Sequence, residues 1–334
     1  MTIEPASTWS PDPHRFLQDL EGKPAALERL SGSTELKSAV AAVPRLPGAL
    51  ILGMGSSRFA AEDSARRMRA AGYPAVSEYA STVDLPPADA TRLVIAISAS
   101  GRSRETLAAI ERYRGAAPTV ALTEDPDSPL AGACDHTIPL LAGHEAGGVA
   151  CRSFQHTGLV LRMLEARLTA RALDFGTLCA RVAEGTNDLL ERRSEWLPAV
   201  TEALDTAGVV GVLAPAERWS CAAQSALMFR EGPRRIALGA ETGDWNHVDV
   251  YLTKSTDYRA LLLTGSVSDE EAVDWLRKRG SRIVTLGPQS AEGALTLTHR
   301  YSHDPSVAVH VDTLVAELVA GRLWVAQSQG VTDQ

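Results

Sequence analysis

Two hydrophobic rhythms alternate along this chain. Short runs are apolar at almost every position, as in GALILG (48–53), RLVIAIS (92–98), PTVALT (118–123) and HTIPL (136–140). Between them lie longer stretches whose apolar residues recur every three or four positions, such as SSRFAAEDSARRMRAAG (56–72) and SRETLAAIERYRG (103–115). Runs of the first kind predict strands buried on both faces, and those of the second predict amphipathic helices. The rhythm returns in the second half. AGVVGVLAP (207–215), YRALLLTG (258–265) and SRIVTLG (281–287) read as strands; AERWSCAAQSALMFRE (216–231) and SDEEAVDWLRKRG (268–280) read as helices. Long helices are expected over 153–173 and 178–200, and a closing helix over 312–329.

Strand and helix in this alternation predict α/β folding, with parallel sheets flanked by helices on both faces in a flavodoxin-like three-layer sandwich. Two such units in tandem suit a length of 334 residues. The expected division is a helical lead-in over 1–45, a first domain over 46–175 and a second over 176–334.

Composition narrows the function. The net charge is −8, with no basic tract, which argues against nucleic acid as a partner. Cys134, Cys151, Cys179 and Cys221 are scattered without a C-x-x-C pair, so neither a zinc cluster nor a disulfide framework is expected. No signal-like start and no membrane-length apolar run is present; a cytoplasmic protein without membrane contact is the expectation.

Two strand-to-helix loops carry the candidate chemistry. SASGRS (98–103) supplies Ser98, Ser100 and Ser103 around Ala99 and Gly101, with Thr106 just beyond. GMGSSRFA (53–60) supplies Gly55, Ser56 and Ser57. In a parallel sheet both loops fall at the carboxyl edge, where ligands bind. Free N–H groups at a helix N-terminus, together with hydroxyls, suit a phosphate monoester. Neither G-x-G-x-x-G nor a Gly-Lys-Ser/Thr loop is present, so no nucleotide, metal or other cofactor is called for. Helix capping alone also accounts for each loop taken singly.

These motifs resemble the sugar isomerase (SIS) domain family, whose members bind phosphosugars. GMGSS matches the family's first loop and SASGRS its second, with Ala99 at a position where the family carries glutamine. GHEAGGVACRSF (143–154) resembles the segment in which the family places substrate-contacting residues: Glu145, Arg152 and Phe154 match, while Cys151 replaces a hydroxyl residue. The tandem arrangement is similar to the isomerase part of glucosamine-6-phosphate synthase and its shorter relatives. By that resemblance ALMFRE places Glu231 as the carboxylate that moves a proton between C1 and C2. GDWNH places His247 as the residue that opens the sugar ring in a neighbouring subunit, which implies a homodimer.

Three departures surround the C1–C2 end. Met228 stands for a lysine, His-Val-Asp stands for His-Gly-Pro, and the lysine-bearing tail is lacking. The glutaminase portion is lacking too, so glutamine-dependent amination is not expected. The residues themselves leave Glu231 readable as a helix-end acid paired with Arg230, Arg234 or Arg235. His299, His303 and His310 read as surface or core residues. The expectation is a phosphosugar isomerase or isomerase/deaminase acting on a hexose or amino-hexose phosphate. Two alternatives stay open: a deglycase of phosphorylated fructosamine adducts, whose cationic amine would meet the acids of AETGDW (240–245), and a non-catalytic phosphosugar sensor.

Overall fold

The computed structural model describes residues 11–331. Three short helices come first: α1 (Pro13–Glu21), α2 (Lys23–Gly32) and α3 (Thr34–Ala42). The first sheet then forms from β1 (Gly48–Gly53), α4 (Ser56–Ala70), β2 (Ala75–Tyr79), β3 (Arg92–Ile97), α5 (Arg104–Ile110), β4 (Thr119–Thr123), α6 (Pro129–Ala133) and β5 (His136–Pro139). Three helices connect the halves: α7 (Arg152–Thr169), α8 (Phe175–Glu191) and α9 (Arg193–Leu204). The second half contains β6 (Val209–Ala214), α10 (Trp219–Glu231), β7 (Ala237–Glu241), α11 (Thr242–Trp245), β8 (Tyr258–Leu263), α12 (Asp269–Lys278), β9 (Arg282–Leu286) and β10 (Leu295–Leu297). It closes with α13 (Pro305–Val311) and α14 (Thr313–Val331). The first ten residues of the expected lead-in lie outside the described residues.

Both sheets have five strands, all pairings are parallel, and the strand order repeats. It is β2-β1-β3-β4-β5 in the first half and β7-β6-β8-β9-β10 in the second. The expected runs are strands, but β2, β7 and β10 add three that the apolar pattern missed. β2 and β7 each pair on one side only, and β2 carries the polar residues Ser77 and Glu78, so neither reads as a continuous apolar run. The expected helix over 178–200 is two helices, broken between Glu191 and Arg193.

Strand side chains alternate between two cores, as the period of two requires. Ala49 and Ile51 of β1, Ile95 of β3, and Val210 and Val212 of β6 all face one central core shared by both halves. Leu50 and Leu52 face an outer core under α5 and α6, and Val209 and Leu213 face another under α11 and α12. The central layer also holds α1, α2, α4, α7, α10 and α14.

Polar groups inside that layer fix how the helices meet. The hydroxyl of Ser220 on α10 donates to the Asp63 carboxylate on α4. The side-chain guanidinium of Arg66 reaches the Glu217 carbonyl at 3.3 Å. Trp219 meets Phe59 edge-on, centroids 5.7 Å apart. Further along α10 Gln224 reaches the Ala150 carbonyl just before α7, whereas further along α4 Arg67 meets Glu165 towards the end of α7, so α10 and α4 run in opposite directions. Nearby, Arg67 grips both oxygens of Glu165 on α7 at 2.7 to 3.2 Å. Lys23 of α2 forms a fully buried pair with Glu317 of α14.

Burial raises the Asp63 carboxyl from 3.8 to about 6, against the Ser220 hydrogen bond and the charges of Arg67 and Arg66. The folded chain therefore holds this proton more tightly than the unfolded chain. The resulting stability is complete below the unfolded pKa and is lost as pH rises through about 6. Asp63→Asn keeps an acceptor for Ser220 and removes that dependence. Its stability relative to wild type should rise progressively between about pH 4 and pH 7, by about 3 kcal/mol in urea denaturation. A difference independent of pH would contradict the assignment.

Candidate active site

The two serine loops sit side by side at the carboxyl edge of the first sheet, because β1 and β3 are parallel neighbours. After β1 the chain turns at Gly55, whose φ of +51° lies in the left-handed region that glycine enters without penalty. Ser56 and Ser57 then open α4. No side chain caps its N-terminus. Ser56 and Ser57 are half-buried, Ser98 is buried, and none of their hydroxyls hydrogen-bonds to another described residue.

The second loop is more committed to its own fold. Ser103 caps α5: its oxygen accepts from the Thr106 N–H at 3.2 Å and the Thr106 hydroxyl at 3.0 Å, and its own hydroxyl donates to Glu105. Ser100 is exposed and accepts from the Arg102 N–H at 3.3 Å. Ala99, half-buried, gives its carbonyl to the Thr123 hydroxyl at 3.1 Å and to the Glu124 N–H at 2.9 Å. Gly101 has φ +63°, and a Cβ there would lie 2.1 Å from the Ser128 oxygen. Thr123, Glu124 and Ser128 therefore shape this loop from the end of β4, and sequence reading passed over them. The Asp-Pro pair in TEDPDS (123–128) was the available sign of a structured turn.

Glu145 and Arg152 are both held by the protein. One Glu145 oxygen accepts from the N–H groups of Cys151, Arg152 and Ser153 at 2.6, 2.7 and 3.1 Å, and the other from the Ser153 hydroxyl at 2.6 Å. It caps α7, meeting the positive end of that helix with a full negative charge. Arg152 donates to Asp19 of α1 at 2.9 Å and to the His144 carbonyl. Asp19 in turn accepts from the Gly147 N–H at 2.7 Å. Glu124 receives the N–H groups of Ala142 and Gly143, at 2.8 and 3.1 Å, closing the loop from its other side.

Glu231 is the last residue of α10. It is half-buried, and its carboxylate forms no hydrogen bond or ion pair with another described residue. The arginines near it are turned elsewhere: Arg235 pairs with Asp205 at 3.0 Å, and Arg230 bonds back to the Ala226 carbonyl. Burial raises the Glu231 carboxyl; Arg230 and Arg234 oppose this, and Glu145 adds to it. The buried side chain of Gln224, further back on α10, donates to the Ala150 carbonyl at 2.9 Å and ties the helix to the 143–151 segment. Met228, where the resemblance calls for a lysine, is buried. At 1.5 Å per residue, α10 extends about 16 Å past Ser220, and α4 begins about 10 Å before Asp63. Antiparallel packing thus directs the C-terminal end of α10, with Glu231, towards the end of α4 that holds Ser56 and Ser57.

His247 is not brought to that place. It is exposed, just beyond α11, and its imidazole bonds to no other described residue. Trp245, two residues earlier, is in the outer core of the second sheet with its indole N–H on Tyr258. His247 therefore belongs to the outer layer of that sheet, whereas α10 belongs to the inner one. In AETGDW, Glu241 caps α11 by accepting from the Asp244 N–H at 2.8 Å, and Asp244 is exposed. His299 and His310 are buried and His303 is exposed; His299 lies 3.0 Å from Asp312, which also holds Arg218. No group of three or more His, Cys, Asp or Glu that could hold a metal occurs among the described residues. No helix among them is long and apolar enough to cross a membrane.

Residues 48–167, which contain both serine loops and the Glu145 cap, match the family model of the SIS domain. The chain carries a SIS domain. Over 317 residues it is 27% identical to the glutamine–fructose-6-phosphate aminotransferase (isomerizing) of Aeropyrum pernix, covering 85% of this chain and 50% of that one. It thus spans about half of that relative's length. The C-terminal domain of glucosamine-fructose-6-phosphate aminotransferase from Francisella tularensis superposes with a TM-score of 0.78 at 17% identity, covering 94% of this chain and 96% of that one. The tagatose-6-phosphate ketose/aldose isomerase of Escherichia coli gives 0.72 at 16% identity, covering 98% and 95%. These two likenesses establish the fold, from the SIS domain through the second sheet.

The fourfold acceptor role of Glu145 gives a direct test. Glu145→Ala strips the cap from α7 and should cost about 2 kcal/mol of unfolding free energy in urea denaturation. An unchanged midpoint would show that the cap contributes nothing.

Proposed function

We propose that the chain is a phosphosugar isomerase, or isomerase/deaminase, acting on a hexose or amino-hexose phosphate. In this reading residues 46–175 and 176–334 are tandem SIS domains. The first grips phosphate at Ser56, Ser57, Ser98 and Ser100, with Ser103, whose hydroxyl is spent on α5, able to join only by giving up its bond to Glu105, and the second supplies Glu231 as the proton carrier. The observation that carries the proposal is the unpaired, half-buried carboxylate of Glu231 at the end of an α10 that runs opposite to α4, whose first residues, Ser56 and Ser57, have uncommitted hydroxyls. The repeated strand order, the SIS match and the sugar-phosphate names of the relatives support it.

The chemistry follows from the placement. Backbone N–H groups and hydroxyls at the start of α4 hold the phosphate, which fixes the far end of an opened sugar chain. Glu231, partly shielded from water, has a carboxyl pKa above the ordinary range, which suits a group that takes a proton and returns it near neutral pH. It removes the proton from one of C1 and C2, the electron pair forms a cis-enediol or enolamine, and the same carboxyl delivers the proton to the neighbouring carbon. Glu145 and Arg152 act as positioning residues that shape the 143–151 wall.

His247 enters through a homodimer. Its surface is apolar for an exposed one: Ile236, Val248 and Tyr251 are 61%, 57% and 62% exposed around β7, an edge strand. Packing of that edge against a second copy would cover them and present the imidazole to the partner's site, where it opens the ring. The deglycase alternative is less favoured, since Glu241 is spent on capping α11.

Glu231→Gln should abolish conversion across a panel of hexose and amino-hexose phosphates, followed as ketose and ammonia, while phosphosugar binding persists. Undiminished turnover would reject the role of Glu231, and binding without turnover by wild type would favour a sensor. Mixing Glu231→Gln chains with His247→Asn chains should restore about a quarter of wild-type activity, because random pairing leaves that fraction of shared sites intact. No recovery would place both residues in one chain's site.

A further inference from the structure

At the far end of α4, about 20 Å along the helix from Ser56, a cleft of about 280 Å³ opens between the C-terminal turns of α4 and α7. Its walls carry Arg66, Arg67, Arg162 and Arg171, with Glu165 as the one carboxylate. Glu165 is taken by Arg67, and Arg162 approaches it only at 3.7 Å. The Nε atoms of Arg66 and Arg162 are buried without a hydrogen-bond partner. Arg171 is exposed, with no side-chain partner among the described residues.

The bland account is that these arginines offset the negative ends of the two helices. The charges do not balance on that account. Two helix C-termini contribute about half a negative charge each, Glu165 one more, and Asp63 behind Arg66 and Arg67 up to one more, against four guanidinium groups. About one positive charge or more remains uncompensated, on a chain whose net charge is −8. Burial holds the Arg162 guanidinium below its ordinary pKa, with Glu165 opposing and Arg67 reinforcing the effect. A bound anion would relieve that crowding and satisfy the idle N–H donors, since guanidinium forks match phosphate oxygens.

We propose that this arginine cleft is a second anion site that takes a compact dianion, phosphate or a phosphomonoester, independently of the serine loops. Titration calorimetry of the full chain tests it, with inorganic phosphate in one arm and glucose 6-phosphate in the other. The chains compared are wild type, Ser56→Ala/Ser57→Ala/Ser98→Ala, and Arg162→Gln/Arg171→Gln. The serine variant should still bind about one phosphate per chain, and adding the arginine changes should weaken that binding at least about tenfold. Arg171→Gln alone, at an exposed position that cannot disturb folding, should weaken it about threefold. Tighter binding of the ester assigns a phosphomonoester, and equal binding assigns free phosphate; both uphold the site. If the serine variant binds nothing while the arginine variant binds as wild type does, this inference falls and the phosphosugar reading stands. The reverse pattern upholds the cleft and overturns the reading.

Discussion

The contact between α4 and α10 is the constraint on which the rest of the molecule depends. An apolar helix interface can slide by a residue or a turn at modest cost. A buried carboxylate cannot, because leaving it unpaired costs several kcal/mol. Asp63 meets Ser220 inside the central layer, and Arg67, one turn on, grips the two oxygens of Glu165 with two parallel bonds. These polar links fix the relative position of α4, α7 and α10 within a core otherwise made of aliphatic side chains. Each helix is in turn attached to its own sheet, so the contact sets the sheets relative to one another. The position of Glu231 relative to Ser56 follows from this register.

The serine-loop edge separates hydroxyls by employment. Ser103, Ser128 and Thr123 hold backbone, capping helices or bridging loops, and the Thr106 hydroxyl donates to Ser103. Ser56, Ser57 and Ser98 are left with unspent hydrogen-bonding capacity beside a helix N-terminus. A capping turn needs one hydroxyl, and a run of them exceeds that need. The same division separates Glu145 from Glu231. Both are half-buried carboxylates, but four donors converge on the first and none on the second. Burial, with nothing bonded to it, raises the Glu231 carboxyl.

Much of this was legible in the residues. β1, β3, β4, β6 and β8 are buried on both faces and therefore read as unbroken apolar runs. The serine loops were visible because strand, glycine, hydroxyl and helix follow one another within a few positions. β2 and β7 were not visible, since pairing on one side only lets polar residues into the strand. The break at Arg192 was hidden because amphipathic spacing continues across it into α9. Glu145 illustrates a different limit. Its place in a family segment suggests contact with a ligand, and only the three-dimensional arrangement reveals that it receives three backbone N–H groups from the start of α7. Sequence spacing says which residues travel together, but a carboxylate's employment depends on donors that other elements bring.

His247 and Glu231 show why adjacency in sequence is a poor guide to a shared site. Sixteen positions apart, they are joined by a strand that crosses the thickness of the second layer. α10 lies on the inner face of that sheet and α11 on its outer face, so the strand that links the two residues also keeps them apart. A parallel sheet imposes this whenever one side chain ends an inner helix and the other follows an outer one. A chain built this way can use both groups on one substrate only if a second copy turns its outer face towards the first copy's inner edge. Val248 and Tyr251, exposed apolar residues that follow His247 in the chain, and Ile236, just before the edge strand β7, are what such a copy would cover. Assembly and ring opening then become one requirement, set by the same layer that shields the Glu231 carboxylate from water.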